Sequence, residues 1–418
     1  MTDPVFGIGI SRVDNEPRPA INSDLSIVGI VGSATGADAT MYPLNTPVQI
    51  FSDDVAALTK LGAGSLSDAV NGINDQLGEF EVAARVVIVR VTAGASAAAT
   101  MTNVIGSSLN ATGIWALLNS GPLLGIIPRI ILTPDVTSSY TAASGSAPAE
   151  ANAVVAALTP VLDRLLGHAI VAGPTDTLAH WTEWRETIQS ARIIPLSFSV
   201  KVGSPSVEKD ASGRVAGIFV RRDHEKRGLP FWSSANQPIQ GIVGPGRDVA
   251  FSLTDGSTEG QQILSQNGGI LARGQMGVEQ AIASGGFVYI GTDTCSVDDL
   301  WRFYNVSRGR DYIHLMFLRT LRVYLGRFNI TSHTITAIQN TMDTALRDLK
   351  AQEAILGYKV GFTRDLNSPE NIRLGKFTVS FAAEEAPVLR YLGIQSARYR
   401  PAIDALLDDL ILSLSAVA

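Results

Sequence analysis

A chain of 418 residues has room for two or three domains, each burying a core of its own. Only 17% of the residues are charged and 45% are apolar, a balance that suits a surface largely covered by further copies of the same chain. The net charge of −6 argues against nucleic acid as the main partner, and no stretch approaches the ~20 unbroken apolar residues of a membrane span, so no membrane insertion is expected.

The first twenty residues hold three prolines and little to bury, and they lack the basic start and apolar run of a cleaved secretion signal. Residues 1–20 are expected to be an N-terminal arm. Within it Val5, Phe6, Ile8, Ile10 and Val13 are β-compatible but interrupted by two glycines. Such a segment is poor as a free strand and reasonable as one added to another subunit's sheet edge, or it is a frayed terminus.

From Leu25 short apolar runs alternate with helix-like segments. Strands are expected at Leu25–Val31, Arg85–Val91, Arg129–Leu132, Ala169–Val171 and Ile193–Val200. Helices are expected at Asp53–Leu61, Ser67–Leu77, Ala149–Leu166 and Thr177–Ser190. In the third of these Val154/Val155, Leu158, Leu162 and Leu165/Leu166 recur at helical spacing. This alternation predicts an open α/β layer domain with a mostly parallel sheet, over 21–245. The alanine- and serine-rich stretches 93–103 and 137–149 are expected to be surface loops, Gly203–Gly213 a hairpin or loop, and the charged run Arg221–Arg227 a solvated loop.

The remainder is expected to form a C-terminal α+β domain over 246–385 and an arm strand with a terminal helix over 386–418. The overall fold class is thus α/β in the first domain and α+β overall. Ser307–Phe328 and Thr334–Leu356 are expected to be long helices, with Gly357 as the stop signal of the second. Lys376–Phe381 and Val388–Ile394 are strand-like, separated by acidic AAEEAP. In the final PAIDALLDDLILSLSAVA, Pro401 suits a first helical turn, and Ile403, Leu406, Leu407, Leu410, Ile411 and Leu414 share one face. Asp404 and Asp408 lie one turn apart, with Asp409 beside them.

Residues that carry chemistry are sparse. VGIVGSATG (Val28–Gly36) has glycines after a strand, as a dinucleotide site would, but ADATMYPLNTP follows where the helix should run. The histidines are scattered, the single cysteine, Cys295, offers neither a disulfide nor a thiolate metal site, and one thiol fits folding in a reducing cytosol. No cofactor and no metal are expected. Asp298 and Asp299 suit a helix start before Leu300 and Trp301. Arg302, Arg308, Arg310, Arg319 and Arg322 stand among aromatics with Asp311 as the one nearby acid, a composition of protein interfaces, and are candidate inter-subunit ion pairs.

GGFVYIGTDTCSVDDLWRFYNVSRGRDYI, from Gly285, resembles the signature of contractile tail sheath proteins: a strand, a G-x-x-T turn, an acidic-then-aromatic segment and an arginine-bearing helix. The similarity continues through LRDLKAQEAILG and NSPENIRLGK, and more loosely in PLNTPVQIFS. It is nearer to the shorter sheath subunits of P2-like phages and tailocins than to large multi-domain ones.

The resemblance implies a structural subunit and not an enzyme. Six-membered rings would stack helically around a tail tube, with baseplate and tail terminator proteins as further partners, in a virion assembled in the bacterial host cytoplasm. Contraction would drive the tube through the target envelope. The alternative from another class is an α/β nucleotide- or cofactor-binding enzyme. On the sheath reading, Val388, Leu389, Tyr391 and Leu392 join Val5–Val13 as exchanged arm strands. Asp404, Asp408 and Asp409 then mark a tube-facing or ring-to-ring helix, or ordinary core packing with a solvated acidic side.

Overall fold

The structure, a computed structural model, describes residues 25–80, 82–144, 147–274 and 286–415. Its first layer is built from β1 (Val28–Ser33), β2 (Pro47–Phe51), α1 (Val55–Leu61), α2 (Ser65–Asp75), β3 (Arg85–Val91), α3 (Ala97–Ile105), α4 (Ser120–Leu124), β4 (Ile130–Leu132), α5 (Ala153–Leu165), β5 (His168–Ala172), α6 (Leu178–Glu186) and β6 (Ile193–Leu196). The strands form one six-stranded sheet in the order β2-β3-β1-β4-β5-β6. All neighbours are parallel except β2, which runs antiparallel to β3.

Side chains of a strand alternate between faces, and here both faces are covered. Val28, Ile30, Val86 and Ile88 pack towards α1 and α2, and Ile130 and Leu132 towards the later helix over Ser212–Glu225, while Val31, Val87, Val89, Ile131, Ala169 and Val171 pack towards α5. Coverage on both faces is why these strands are continuous apolar runs in the sequence. Two expectations change. Residues within 93–103 belong to α3, because Ser96 caps it by accepting from the Ala99 amide and Val104 is buried against the sheet. Ile193–Val200 is broken after Leu196. The Ser197 amide and hydroxyl both turn to the Gly269 carbonyl, at 2.9 Å each, and the chain starts a separate hairpin of β7 (Ser199–Val202) and β8 (Val207–Asp210).

The charged run is not a solvated loop. Arg221–Glu225 forms the last turns of α7 (Ser212–Glu225), which packs closely along α2. Arg221 is 3% exposed and Asp223 1%. Arg221 donates to the Pro238 carbonyl at 2.8 Å, and Asp223 receives Arg308. These buried partners, remote in sequence, are what draws the charges inward.

Beyond α7, β9 (Gln237–Pro238), β11 (Ile270–Arg273) and β12 (Phe287–Ile290) form an antiparallel sheet, β10 (Gly244–Pro245) joins β7, and α8 (Glu259–Ser265) precedes β11. The Cys295 amide donates to Ile193 and Leu196 bridges Gly269, so later segments cover the β6 edge of the large sheet. Then come α9 (Tyr304–Leu321), α10 (Ser332–Ala351), β13 (Ile355–Gly361), α11 (Pro369–Arg373), β14 (Ser380–Glu385) and α12 (Pro401–Ser415). Gly357 does not stop α10, which ends at Ala351 with Glu353 in the left-handed region (φ 59°); Gly357 lies in β13, at its register shift. The acidic AAEEAP is mostly strand, with Ala382–Glu385 in β14, and Lys376–Val379 precede that strand.

The chain up to Pro387 forms one compact unit and the segment from Val388 a second. The boundary expected at 245/246 falls inside the first. Its two halves are joined by a buried pair: Arg308 of α9 donates to both Asp223 oxygens, at 3.2 and 2.6 Å, and stacks over Phe219. Ser26 Oγ adds a third bond to Asp223, at 3.1 Å. Asp223→Ala leaves the Arg308 charge buried and unpaired, and is expected to cost about 3–5 kcal/mol in urea denaturation, whereas Asp223→Leu/Arg308→Met recovers most of the loss. A single-variant loss under ~1 kcal/mol would mean that solvent replaces the pair.

Candidate assembly surfaces

Three of the five candidate inter-subunit arginines are committed inside the chain. Arg308 holds Asp223. Arg302 holds Asp293 at 2.9 Å and reaches Asp299 at 3.4 Å. Arg310 grips Glu385 with two bonds, at 2.6 and 2.9 Å, donates to the Ala383 carbonyl, and lies over the Trp301 and Phe381 rings. The side chains of Asp223, Asp293 and Glu385 are at most 3% exposed, so each needs an internal counter-charge, and the inter-subunit reading of these three arginines is corrected. Two of these acids are invisible in a local window, Asp223 and Glu385 arriving from 85 and 75 positions away, whereas Asp293 lies 9 positions from Arg302. Asp311 itself is taken by Arg192, at 2.5 and 3.2 Å. Arg319 and Arg322 stand exposed at the end of α9.

Ser307, His168 and Asp311 superficially order themselves as nucleophile, base and acid. Ser307 Oγ lies 2.8 Å from His168 Nε2, and His168 Nδ1 lies 3.9 Å from Asp311. The Ser307 hydroxyl has one proton and donates it to the Tyr304 carbonyl, at 3.2 Å, so Nε2 must be the donor and not a base. Asp311 is beyond hydrogen-bond reach of the ring. Burial, with Arg192 and Arg308 adding to it, keeps His168 neutral by pushing its pKa well down. This cluster is a brace between β5 and α9. The glycines after β1 are likewise used for packing: a Cβ on Gly32 would meet Ser65 Oγ at 2.8 Å, and Gly64 (φ 143°) sits against the Ser33 carbonyl.

The second surface is the antiparallel pair β13–β14. Tyr358, Val360, Phe381 and Ala383 pack on the core shared with α9 and α10. Among the described residues neither strand pairs with a third, so both outer edges offer unpaired backbone groups. Asn305 fixes the exit beside this sheet, donating to the Phe231 and Ala386 carbonyls at 3.0 and 3.1 Å. Val388, Leu389, Tyr391 and Leu392, expected to be strand, have no strand partner among the described residues; Leu389 and Tyr391 are 77% and 85% exposed. Val5, Phe6, Ile8, Ile10 and Val13 lie outside the described residues.

In α12 the apolar face is exposed from Ile403 (58%) to Leu414 (71%). At 100° per residue Asp404 and Asp408 border that face on one side and Asp409 on the other. Asp404 has Arg400 at 3.9 Å, both largely exposed.

No family model matches the chain. The tail sheath protein of Escherichia phage P2 is 24% identical over 412 residues, covering 94% of this chain and 96% of the relative. The major tail sheath protein of Serratia phage KSP20 is 26% identical over 373 residues, covering 85% and 82%. In fold, the chain matches the helical sheath of the anti-feeding prophage in its contracted state with a TM-score of 0.67 at 15% identity, over 95% of this chain and 100% of that one. Along most of its length the chain is similar to contractile tail sheath proteins, in sequence and in fold. These relatives are structural proteins of phage tail sheaths, and no described helix of this chain is long and apolar enough to cross a membrane.

Sequence reasoning missed one feature of the layered domain. A cavity of about 400 Å³ lies past the carboxyl ends of β4, β5 and β6, lined by Asp135, Thr175, Asp176, Phe198, Glu208 and Asp210. The hairpin closes it: the Asp135 amide donates to Asp210 at 3.0 Å and Lys209 pairs with Asp68 at 2.5 Å. Surrounding protein desolvates the Asp135 carboxyl although part of the residue stays open to solvent. Asp210 and Asp68 add repulsion, and the pKa is pushed from 3.8 up to about 6. A raised carboxyl contributes stability that is present below pH 3.8 and lost as pH rises through about 6. Asp135→Asn, which tolerates the left-handed backbone (φ 65°), is therefore expected to melt above the parent at pH 7, with the difference fading towards pH 4. An equal difference at both pH values would contradict the assignment.

Proposed function

We propose that copies of this chain form six-membered rings that stack helically around a tail tube, and that the stack contracts to drive the tube through a target envelope. The observation that carries this is the pairing of two complementary features. An arm with no strand partner among the described residues leaves the compact unit at Pro387, and the exit lies beside a two-stranded sheet whose edges pair with no other described strand. A strand from residues 388–394 of one copy adds to the β13–β14 sheet of the next, with residues 1–20 as a second arm. Backbone hydrogen bonds then join subunits into a mesh that survives large rotations.

On this reading residues 21–245 are the outer domain, 246–385 the domain that receives the arms, and 386–418 the donated arm. Head-to-tail contacts that do not close give a helical filament. The energy of contraction is stored at assembly, so the chain has no catalytic step and needs no cofactor. Tube, baseplate and tail terminator proteins are its further partners, and assembly takes place in the bacterial host cytoplasm before the sheath is part of the virion.

Purified full-length chain is expected to form long hollow tubes in negative-stain electron microscopy and to sediment as polymer. Versions lacking 1–20 or 386–418 are expected to remain small. A monodisperse small oligomer from every version, under all salt conditions, would contradict the sheath mechanism.

A further inference from the structure

The end of α9 and the turn after it carry an exposed patch in the compact unit. Leu318, Leu325 and Phe328 are 61%, 76% and 45% exposed, although each is large and apolar. Leu318, Arg322 and Leu325 follow one another at one-turn spacing through the helix end, with Arg327 exposed beyond them. The first turns of α10 next to the patch are only half-buried; its buried positions begin at Thr341. The compact unit thus presents an apolar surface flanked by positive charge.

The arm presents the inverse. In α12 a stripe of leucine and isoleucine is bordered by Asp404 and Asp408 on one side and Asp409 on the other. Asp408 and Asp409 are exposed and have no ion-pair partner among the described residues. Residues 388–400 tether this helix, and thirteen extended residues span roughly 43 Å, enough to reach past one domain of a neighbour.

We propose that α12 of one copy docks on the α9–α10 end of a second copy, its apolar stripe covering Leu318, Leu325 and Phe328 and its carboxylates facing Arg322 and Arg327. This rests on the sheath reading and adds a second, side-chain-specific joint beyond the backbone pairing of the arm. Apolar burial supplies the attraction, and flanking opposite charges fix the register and exclude like-charged surfaces. A surface of this chain, rather than the tube, is the occupant because the chain itself displays both complementary halves. Exposed pairs at the rim are screened by salt, so the joint weakens as ionic strength rises.

The test uses the full chain. Arg322→Glu/Arg327→Glu and Asp408→Arg/Asp409→Arg are each expected to reduce tube formation at physiological salt, and a chain carrying all four changes to restore it. In a second measurement Leu325→Cys and Leu410→Cys are placed on separately tagged copies, Cys295 being buried, and a short bismaleimide is expected to link the two tags. Tubes from both charge-reversed chains at parent level, with no link between tags, would overturn the docking and leave the sheath reading intact. A link confined to single chains would overturn it too, and so would a link from α12 to added tube protein alone. No tubes from the parent chain would count against the sheath reading itself.

Discussion

One buried charge pair sets the geometry on which the rest depends. Asp223 sits at the end of a helix packed on the layered domain, and Arg308 sits in the arginine-rich helix of the C-terminal part. Neither tolerates the interior without the other, so the two halves are held in one relative placement. The same helix then uses Arg310, about half a turn further on, to grip Glu385. Asn305 on that helix holds the Ala386 carbonyl. Where the chain leaves the compact unit is therefore dictated, through successive polar contacts along α9, by the layered domain.

That arrangement has a mechanical consequence. A unit braced by buried ion pairs, by the His168–Ser307 contact and by continuous cores is built to move as one body, and on the proposed sheath reading the segment after Pro387 supplies the joint. Rigid subunits with compliant joints can change helical packing without unfolding. On the proposed reading, the exposed apolar side chains of α12 give such a change its direction. Surface left open in the isolated chain is worth about 25 cal/mol per Å² when covered, so arrangements that bury more of it are favoured.

Much of this was legible in the sequence, for identifiable reasons. A parallel sheet covered on both faces writes itself as apolar runs, and RVVIVRV was delimited correctly as β3. The signature from Gly285 pointed to the family, and P2-type relatives support it. The charged residues were read less well. Arg221, Asp223 and Glu385 look solvated in a local window, and their partners come from distant segments that only the fold brings together. The helix over Ala97–Ile105 reads as part of a loop because its alanines carry little apolar signal, although Ser96 is an available cap. Residues 388–394 have the composition of a strand but no strand partner among the described residues. A strand needs a neighbour, and pattern alone does not say which copy provides it.

The most direct measurement is backbone hydrogen exchange across residues 386–394, compared between the dispersed chain and assembled tubes. If these residues become a strand of a neighbouring β13–β14 sheet, their amides exchange freely in the dispersed chain and are protected in alternation in the tubes, together with amides on one edge of that sheet. Equal, rapid exchange in both states, from tubes verified by microscopy, would contradict strand addition as the joint that holds the sheath together.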